Sequence, residues 1–208
     1  MNFSVSRVYS ACRGFRSPIE VLKLGSPVFR WIIVSSVIDR VLLSETTISR
    51  RLDELAAEID RQYDGREILA VGVLKGSVFF MTDLLKRIRT RCAVDFLQVR
   101  SYSGTSSSGN IQLVHDLATD VQGRDVLLFE DVVDTGLTLR KMMELLSSRH
   151  PRSLAIAALL KKDLPDNRDL TVDFLGFTIG PEFVVGYGLD LDERYRNLPY
   201  VAIWDPEK

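Results

Sequence analysis

At 208 residues and 23.5 kDa the chain has room for one full hydrophobic core, and 46% hydrophobic with 26% charged residues, 13 Gly and 7 Pro is a globular balance. Disordered, collagenous and coiled-coil classes are excluded. Twenty-seven Lys plus Arg against 28 Asp plus Glu leave a net charge of -1, so no bulk cationic field points to nucleic acid or to a membrane surface.

Residues 1–37 read differently from the rest. They hold Arg7, Arg13, Arg16, Lys23 and Arg30 against a single acid, Glu20, a local +4, while the remainder carries a net -5. This shift predicts a boundary, with 1–37 a basic N-terminal extension, disordered or foreign to the fold, and 38–208 the folded domain. A Ser/Arg-rich, acid-poor leader also fits an organellar transit peptide. The apolar run 28–38 is broken by Arg30 and falls short of the roughly 18 residues of a spanning helix. The two cysteines, Cys12 and Cys92, are distant and form no CxxC, and His115 and His150 are the only histidines. Neither a disulfide framework nor a histidine-rich metal site is expected.

From Ser44 the spacing of Ile48, Leu52, Leu55, Ala56, Ile59 and Tyr63 predicts an amphipathic helix ending near Gly65, with Ser44 able to cap it. The continuous apolar run 68–74 predicts a strand buried on both faces. A helix over 77–89 and a strand over 93–99 follow. A Gly/Ser-rich loop from 101 to 110 then leads to a short strand at 111–115. A strong strand at 125–129 precedes a helix at 137–148 and a strand at 153–160. Short strands near 172–177, 183–185 and 200–204 complete the chain. Strands alternating with helices imply right-handed crossovers and an open, mostly parallel twisted sheet flanked by helices, an α/β fold.

The stretch VLLFEDVVDTGLT, residues 126–138, carries the chemistry. An apolar strand runs into Glu130 and Asp131, then Asp134, then a small-residue turn that opens a helix. Asp134, Thr135, Gly136, Leu137 and Thr138 supply close-set backbone N–H groups and two hydroxyls at the positive end of that helix, which is a phosphate cradle. Glu130 and Asp131 suit the vicinal hydroxyls of a sugar or a magnesium ion, since both seek carboxylate oxygen. Together they specify a ribose 5-phosphate. Competing motifs fail: there is no GxxxxGK[ST], no GxGxxG after a strand, and neither histidine sits in a nucleophile setting.

This stretch resembles the phosphoribosyl diphosphate signature of the type I phosphoribosyltransferases, and further segments narrow the resemblance to their hypoxanthine-guanine branch. Leu74-Lys75-Gly76-Ser77 is similar to the family's pyrophosphate loop, in which a cis peptide precedes the lysine. Ser101-Tyr102 resembles the start of the family's lid. Leu159-Leu160-Lys161-Lys162 is similar to the strand end whose lysine meets the purine 6-oxo group, a role that falls on Lys162 with Lys161 as the alternative. Phe183-Val184-Val185-Gly186-Tyr187-Gly188-Leu189-Asp190 matches the segment that stacks on the base and ends in a magnesium-linked aspartate. Arg196 matches a diphosphate-contacting arginine.

The resemblance covers roughly 39–203 and implies a phosphoribosyltransferase domain with a small hood built from C-terminal strands. It implies diphosphate binding by Lys75, Gly76 and Arg196, purine binding by Lys162, Phe183, Val184 and Asp190, and a magnesium set of Glu130, Asp131 and Asp190. Asp134 would act as the base. A purine-salvage transferase in the cytoplasm, dimeric or tetrameric and without nucleic-acid or membrane partners, is the expectation. A transferase for another base such as xanthine, or a nucleotide-sensing regulator of the same fold that binds nucleic acid, are the alternatives. Leu137 stands where some relatives have lysine, which a main-chain cradle tolerates, and Asp163 sets a negative charge beside the lysine pair.

Overall fold

The computed structural model describes residues 38–101 and 111–205. The expectations for residues 1–37, and for Tyr102 and the rest of the Gly/Ser-rich loop, lie outside the described residues. The elements run β1 (Ile38–Leu43), α1 (Glu45–Gln62), β2 (Glu67–Val73), α2 (Ser77–Leu85), β3 (Arg91–Ser101) and β4 (Ile111–His115). They continue with β5 (Asp125–Val133), α3 (Leu137–Ser147), β6 (Ser153–Lys162), a 3-10 turn (Pro165–Asn167), β7 (Phe174–Ile179), β8 (Val184–Val185) and β9 (Val201–Trp204).

Six strands form the main sheet in the order β4-β3-β2-β5-β6-β7, parallel except for the β3–β4 pair. The apolar runs end up where continuous hydrophobicity requires, with β2, β5 and β6 buried on both faces. Ser44 caps α1 by accepting the Thr47 amide at 3.1 Å, and the predicted stripe Ile48, Leu52, Leu55, Ala56 and Ile59 packs with Phe80 and Leu84 of α2 over Ile68, Leu127 and Phe129. On the opposite face Leu139, Met142 and Leu146 of α3 cover Leu69, Val71, Val126 and Leu128. From β2 the chain moves outward to β3, then returns to place β5 on the other side of β2. The reversal falls between β2 and β5, and it is at the carboxyl ends of such strands that a doubly wound sheet receives its ligand.

Three expectations change. The hood is a second, antiparallel sheet of order β1-β9-β8, so the C-terminal strands are completed by β1, which the sequence reading left unassigned, while the strand expected near 172–177 belongs to the main sheet as β7. Helix α2 ends at Leu85 instead of near residue 89, because the Asp60 carboxylate of α1 takes the amides of Arg89 and Thr90, each at 2.8 Å, before they can turn inward. Strand β5 continues past Phe129 to Val133, pairing Glu130 and Val132 with Ala158 and Leu160 of β6, so the acidic pair stands on the strand itself.

At the opposite end of the sheet, the fully buried Asp125 accepts hydrogen bonds from Arg152 and from Ser153 Oγ at 2.6 Å, with Arg66 Nη1 at 3.4 Å. Arg152 foremost, aided by Ser153 and Arg66, holds this carboxyl below its ordinary value of 3.8. Its contribution to stability is therefore present above that value and lost as pH falls through the depressed one. Asp125→Asn is expected to lower the unfolding free energy at pH 7 by about 1–3 kcal/mol and to flatten the loss of stability between about pH 4 and pH 2. Denaturant melts at pH 7 and pH 3 check this, and an acid limb as steep as the wild type's would contradict it.

Candidate active site

Three connections converge at the carboxyl ends of β2 and β5. After β2, the Leu74–Lys75 peptide is cis, as the resemblance implies, and Ser77 Oγ donates to the Val73 carbonyl at 2.7 Å, folding the turn back onto its own strand. Lys75 is exposed while Gly76 is buried. A side chain at Gly76 would run into the Asp131 carboxylate, and one at Gly188 would run into the Gly76 carbonyl. The turn after β2, the acidic end of β5 and the hood connection thus touch at one point, with no space for a methyl group.

Along β5, alternation puts Glu130 on the face of Val126 and Leu128, toward α3, and Asp131 on the face of Leu127 and Phe129, toward α2. Glu130 is only 8% exposed. Burial, reinforced by the neighbouring Asp131 charge, pushes its carboxyl well above the ordinary glutamate value. Burial pushes Asp131 up as well, against the opposing pull of the Val132 amide and of Arg196, with Asp190 adding to the rise. Glu130 is buried and Asp131 half-buried, and a cation or a diol would add to the donors and positive charge that the Val132 amide and Arg196 already bring to Asp131.

Beyond them Asp134 is exposed, Thr135 and Thr138 are half-buried, and Gly136 sits at the α3 N-cap with φ of 80° in the left-handed region. Any side chain at Gly136 would meet Leu170 Cδ2 at 2.8 Å. Because glycine brings no capping side chain, the first-turn amides of this 11-residue helix remain available to an anion. Leu137, 55% exposed, contributes main chain at the helix start and leaves its side chain in solvent.

At the end of β6 the two lysines part ways. Lys162 Nζ lies 3.3 Å from Asp134 Oδ2, whereas Lys161 Nζ donates to the Leu170 carbonyl at 2.6 Å. Asn167, buried to 1% exposure, donates to the carbonyls of both Asp134 and Lys162 and so ties the cradle to the lysine strand. Nothing in the sequence singled Asn167 out, since Pro-Asp-Asn reads as an ordinary turn.

The hood brings Phe183, Val184, Asp190 and Arg196. Phe183 is 46% exposed, with the Trp204 ring in a T-shaped contact at 5.4 Å between centroids. Val184 is buried in the core beneath it, which restricts its part in the site to main chain and packing. Arg196 braces the connection by donating to the Gly188 carbonyl and pairing with Asp190 Oδ1 at 2.8 Å. Lys75 Nζ reaches Glu193 Oε1 at 3.0 Å, and Arg196 Nη2 reaches Glu193 Oε2 at 3.4 Å. Glu193 is a second residue the sequence reading missed. Of the expected lid, only Ser101, the last residue of β3, belongs to a described element.

Among the described residues no three acidic, histidine or cysteine groups form a ready-made metal cage. Asp190 has one carboxylate oxygen on Arg196 and the other on the Glu193 amide. The charged pair and cradle fit magnesium nonetheless, because that ion takes one or two carboxylates and completes its shell with substrate phosphate and water.

Comparison with known proteins is consistent with this geometry. The sequence model of the phosphoribosyl transferase domain matches residues 42–192. The chain is 46% identical over 170 residues to the hypoxanthine-guanine phosphoribosyltransferase of Bacillus subtilis, covering 81% of this chain and 94% of that protein. It is 47% identical over 171 residues to the bifunctional protein TilS/HprT of Listeria monocytogenes, of whose length it spans only 26%. The crystal structure of a hypoxanthine phosphoribosyltransferase from Staphylococcus aureus superposes with a TM-score of 0.78 at 45% identity, covering 82% of this chain and 93% of that one. A hypoxanthine-guanine phosphoribosyltransferase from Bacillus anthracis gives 0.78 at 37% identity. The domain match, the 46% identity over 94% of the Bacillus subtilis protein and the shared architecture agree: the chain belongs to the phosphoribosyl transferase family.

Proposed function

We propose that this chain transfers the 5-phosphoribosyl group from 5-phosphoribosyl 1-diphosphate to hypoxanthine or guanine, giving IMP or GMP and pyrophosphate, a purine-salvage reaction. The observation that carries the reading is the 3.3 Å approach of Lys162 to Asp134 at the mouth of the α3 phosphate cradle. A donor for the base's 6-oxo group thereby stands beside an acceptor for its ring proton.

In this reading the α3 amides and the hydroxyls of Thr135 and Thr138 hold the 5-phosphate. Glu130 and Asp131 take the ribose hydroxyls, and the amides around Lys75 and Gly76 with the side chains of Lys75 and Arg196 receive the diphosphate. Breaking the bond from the anomeric carbon to the diphosphate develops positive charge on the ribose, which the Glu130 and Asp131 carboxylates stabilise. The purine ring nitrogen then bonds to that carbon and gives its proton to Asp134. Lys162 offers N–H to a 6-oxo acceptor, where an amino group would bring donor against donor, so oxopurines are selected over adenine. The ring of Phe183 stacks on the base. Glu130 and Asp131, with Asp190 on the hood side, would hold magnesium, whose charge would neutralise the leaving diphosphate.

Residues 38–208 form the catalytic domain and 1–37 an appendage, so removing 1–37 leaves the activity unchanged. Among the described residues no helix is long and apolar enough to cross a membrane. A cytoplasmic homodimer or homotetramer is part of the same proposal.

Incubation with the donor, magnesium and each purine in turn tests the reading: IMP and GMP are expected to form and AMP is not, while turnover confined to xanthine or absent altogether would contradict it. Asp134→Asn keeps the shape of the cradle and loses the base. It is expected to lower kcat by about 10²- to 10⁴-fold with little change in donor affinity, as steady-state kinetics and donor titration measure. Equal loss in both would assign this side chain a structural role only.

A further inference from the structure

The two side chains proposed to receive the diphosphate are already bridged by an anion of the protein's own. Glu193 places Oε1 3.0 Å from Lys75 Nζ and Oε2 3.4 Å from Arg196 Nη2, one oxygen for each cation, across 118 residues of sequence in the first case. The same two nitrogens would have to turn to the donor's diphosphate.

The backbone is shaped to deliver this carboxylate. Leu191 and Arg194 exchange hydrogen bonds, Leu191 N to Arg194 O at 3.3 Å and Arg194 N to Leu191 O at 3.0 Å, enclosing a two-residue turn. Both central residues, Asp192 at φ 50° and Glu193 at φ 63°, lie in the left-handed region. A turn of this hand favours Asn or Asp followed by Gly, and a glutamate in the second position carries a conformational cost that glycine would remove. The Glu193 amide is pinned to Asp190 Oδ2 at 2.9 Å, fixing the direction in which the side chain leaves the turn. A backbone outlier aimed at a charged site points to a functional use of the strain.

We infer that Glu193 is a built-in competitor of the diphosphate, an internal carboxylate that occupies Lys75 and Arg196 until a diphosphate-bearing ligand displaces it. The inference rests on the diphosphate role proposed above for those two cations. Displacement lowers the affinity for donor and for pyrophosphate by the fraction of molecules in which the bridge is made, and it hastens the departure of pyrophosphate, because the carboxylate returns as the product leaves. Lys75 at 56% and Glu193 at 63% are more than half exposed, while Arg196 is 20% exposed, so water screens the Lys75 pair most and the effect is modest.

Calorimetric titration of the full-length protein with pyrophosphate in the presence of magnesium tests this with the wild type, Glu193→Gln and Glu193→Gly. Both variants are expected to bind pyrophosphate about two- to tenfold more tightly and to show the same drop in the KM for the donor, with the purine KM unmoved. Glu193→Gly is expected to melt at or above the wild-type temperature, since it relieves the turn while removing the anion. Pyrophosphate affinity that is unchanged or weaker in both variants overturns the inference and leaves the proposed function standing. Failure of the wild type and both variants to bind pyrophosphate overturns both.

Discussion

The site depends on a steric constraint at Gly76. Its α-carbon faces the Asp131 carboxylate and its carbonyl faces Gly188, both too close for a β-carbon. Three segments far apart in sequence are thereby pressed together: the turn carrying Lys75, the acidic end of β5 and the hood connection carrying Asp190, Glu193 and Arg196. A parallel sheet supplies the first two at its point of strand reversal. The small antiparallel sheet β1-β9-β8 supplies the third. Without the close approach the cations of one loop and the acids of another would be separated by solvent, and their charges would be screened from each other.

Electrostatics then divides this small region into two halves of opposite need. Glu130, buried, and Asp131, half-buried, are acids raised above their ordinary values chiefly by burial. Lys75 and Arg196 are cations already supplied with negative charge from Glu193 and Asp190. In the proposed function a ligand with hydroxyls at one end and a diphosphate nearby would serve both halves at once, while the α3 amides would hold a second phosphate. A pentose phosphorylated at two positions meets that joint demand, and neither half alone would distinguish it from a simple anion or a simple sugar.

Much of this was legible in the chain. Continuous apolar runs marked β2, β5 and β6 as central strands because only burial on both faces makes such runs stable. The helical spacing from Ile48 to Ile59 marked α1. The acids at 130, 131 and 134, followed by Thr-Gly, marked the cradle because charge and small residues at a strand end have few structural uses. What escaped is equally explicable. Strand β1, IDRVLL, carries charge in its first half and owes its order to pairing with β9, a long-range contact that no local pattern encodes. The polar end of β5 looks like a loop, yet β6 extends beside it and supplies hydrogen bonds. The end of α2 was set by Asp60, across a helix–helix interface. Asn167 and Glu193 gain their meaning only from partners brought close by folding.

The most direct measurement is the affinity for 5-phosphoribosyl 1-diphosphate, with magnesium, of the wild type beside Gly76→Ala, taken with thermal melts of both. The account requires the wild type to bind and the variant, still folded, to lose at least about tenfold in affinity, because a methyl group must push aside the Asp131 carboxylate. A variant that binds the donor as tightly as the wild type, or a wild type that does not bind it, would contradict the claim that these three segments make one site.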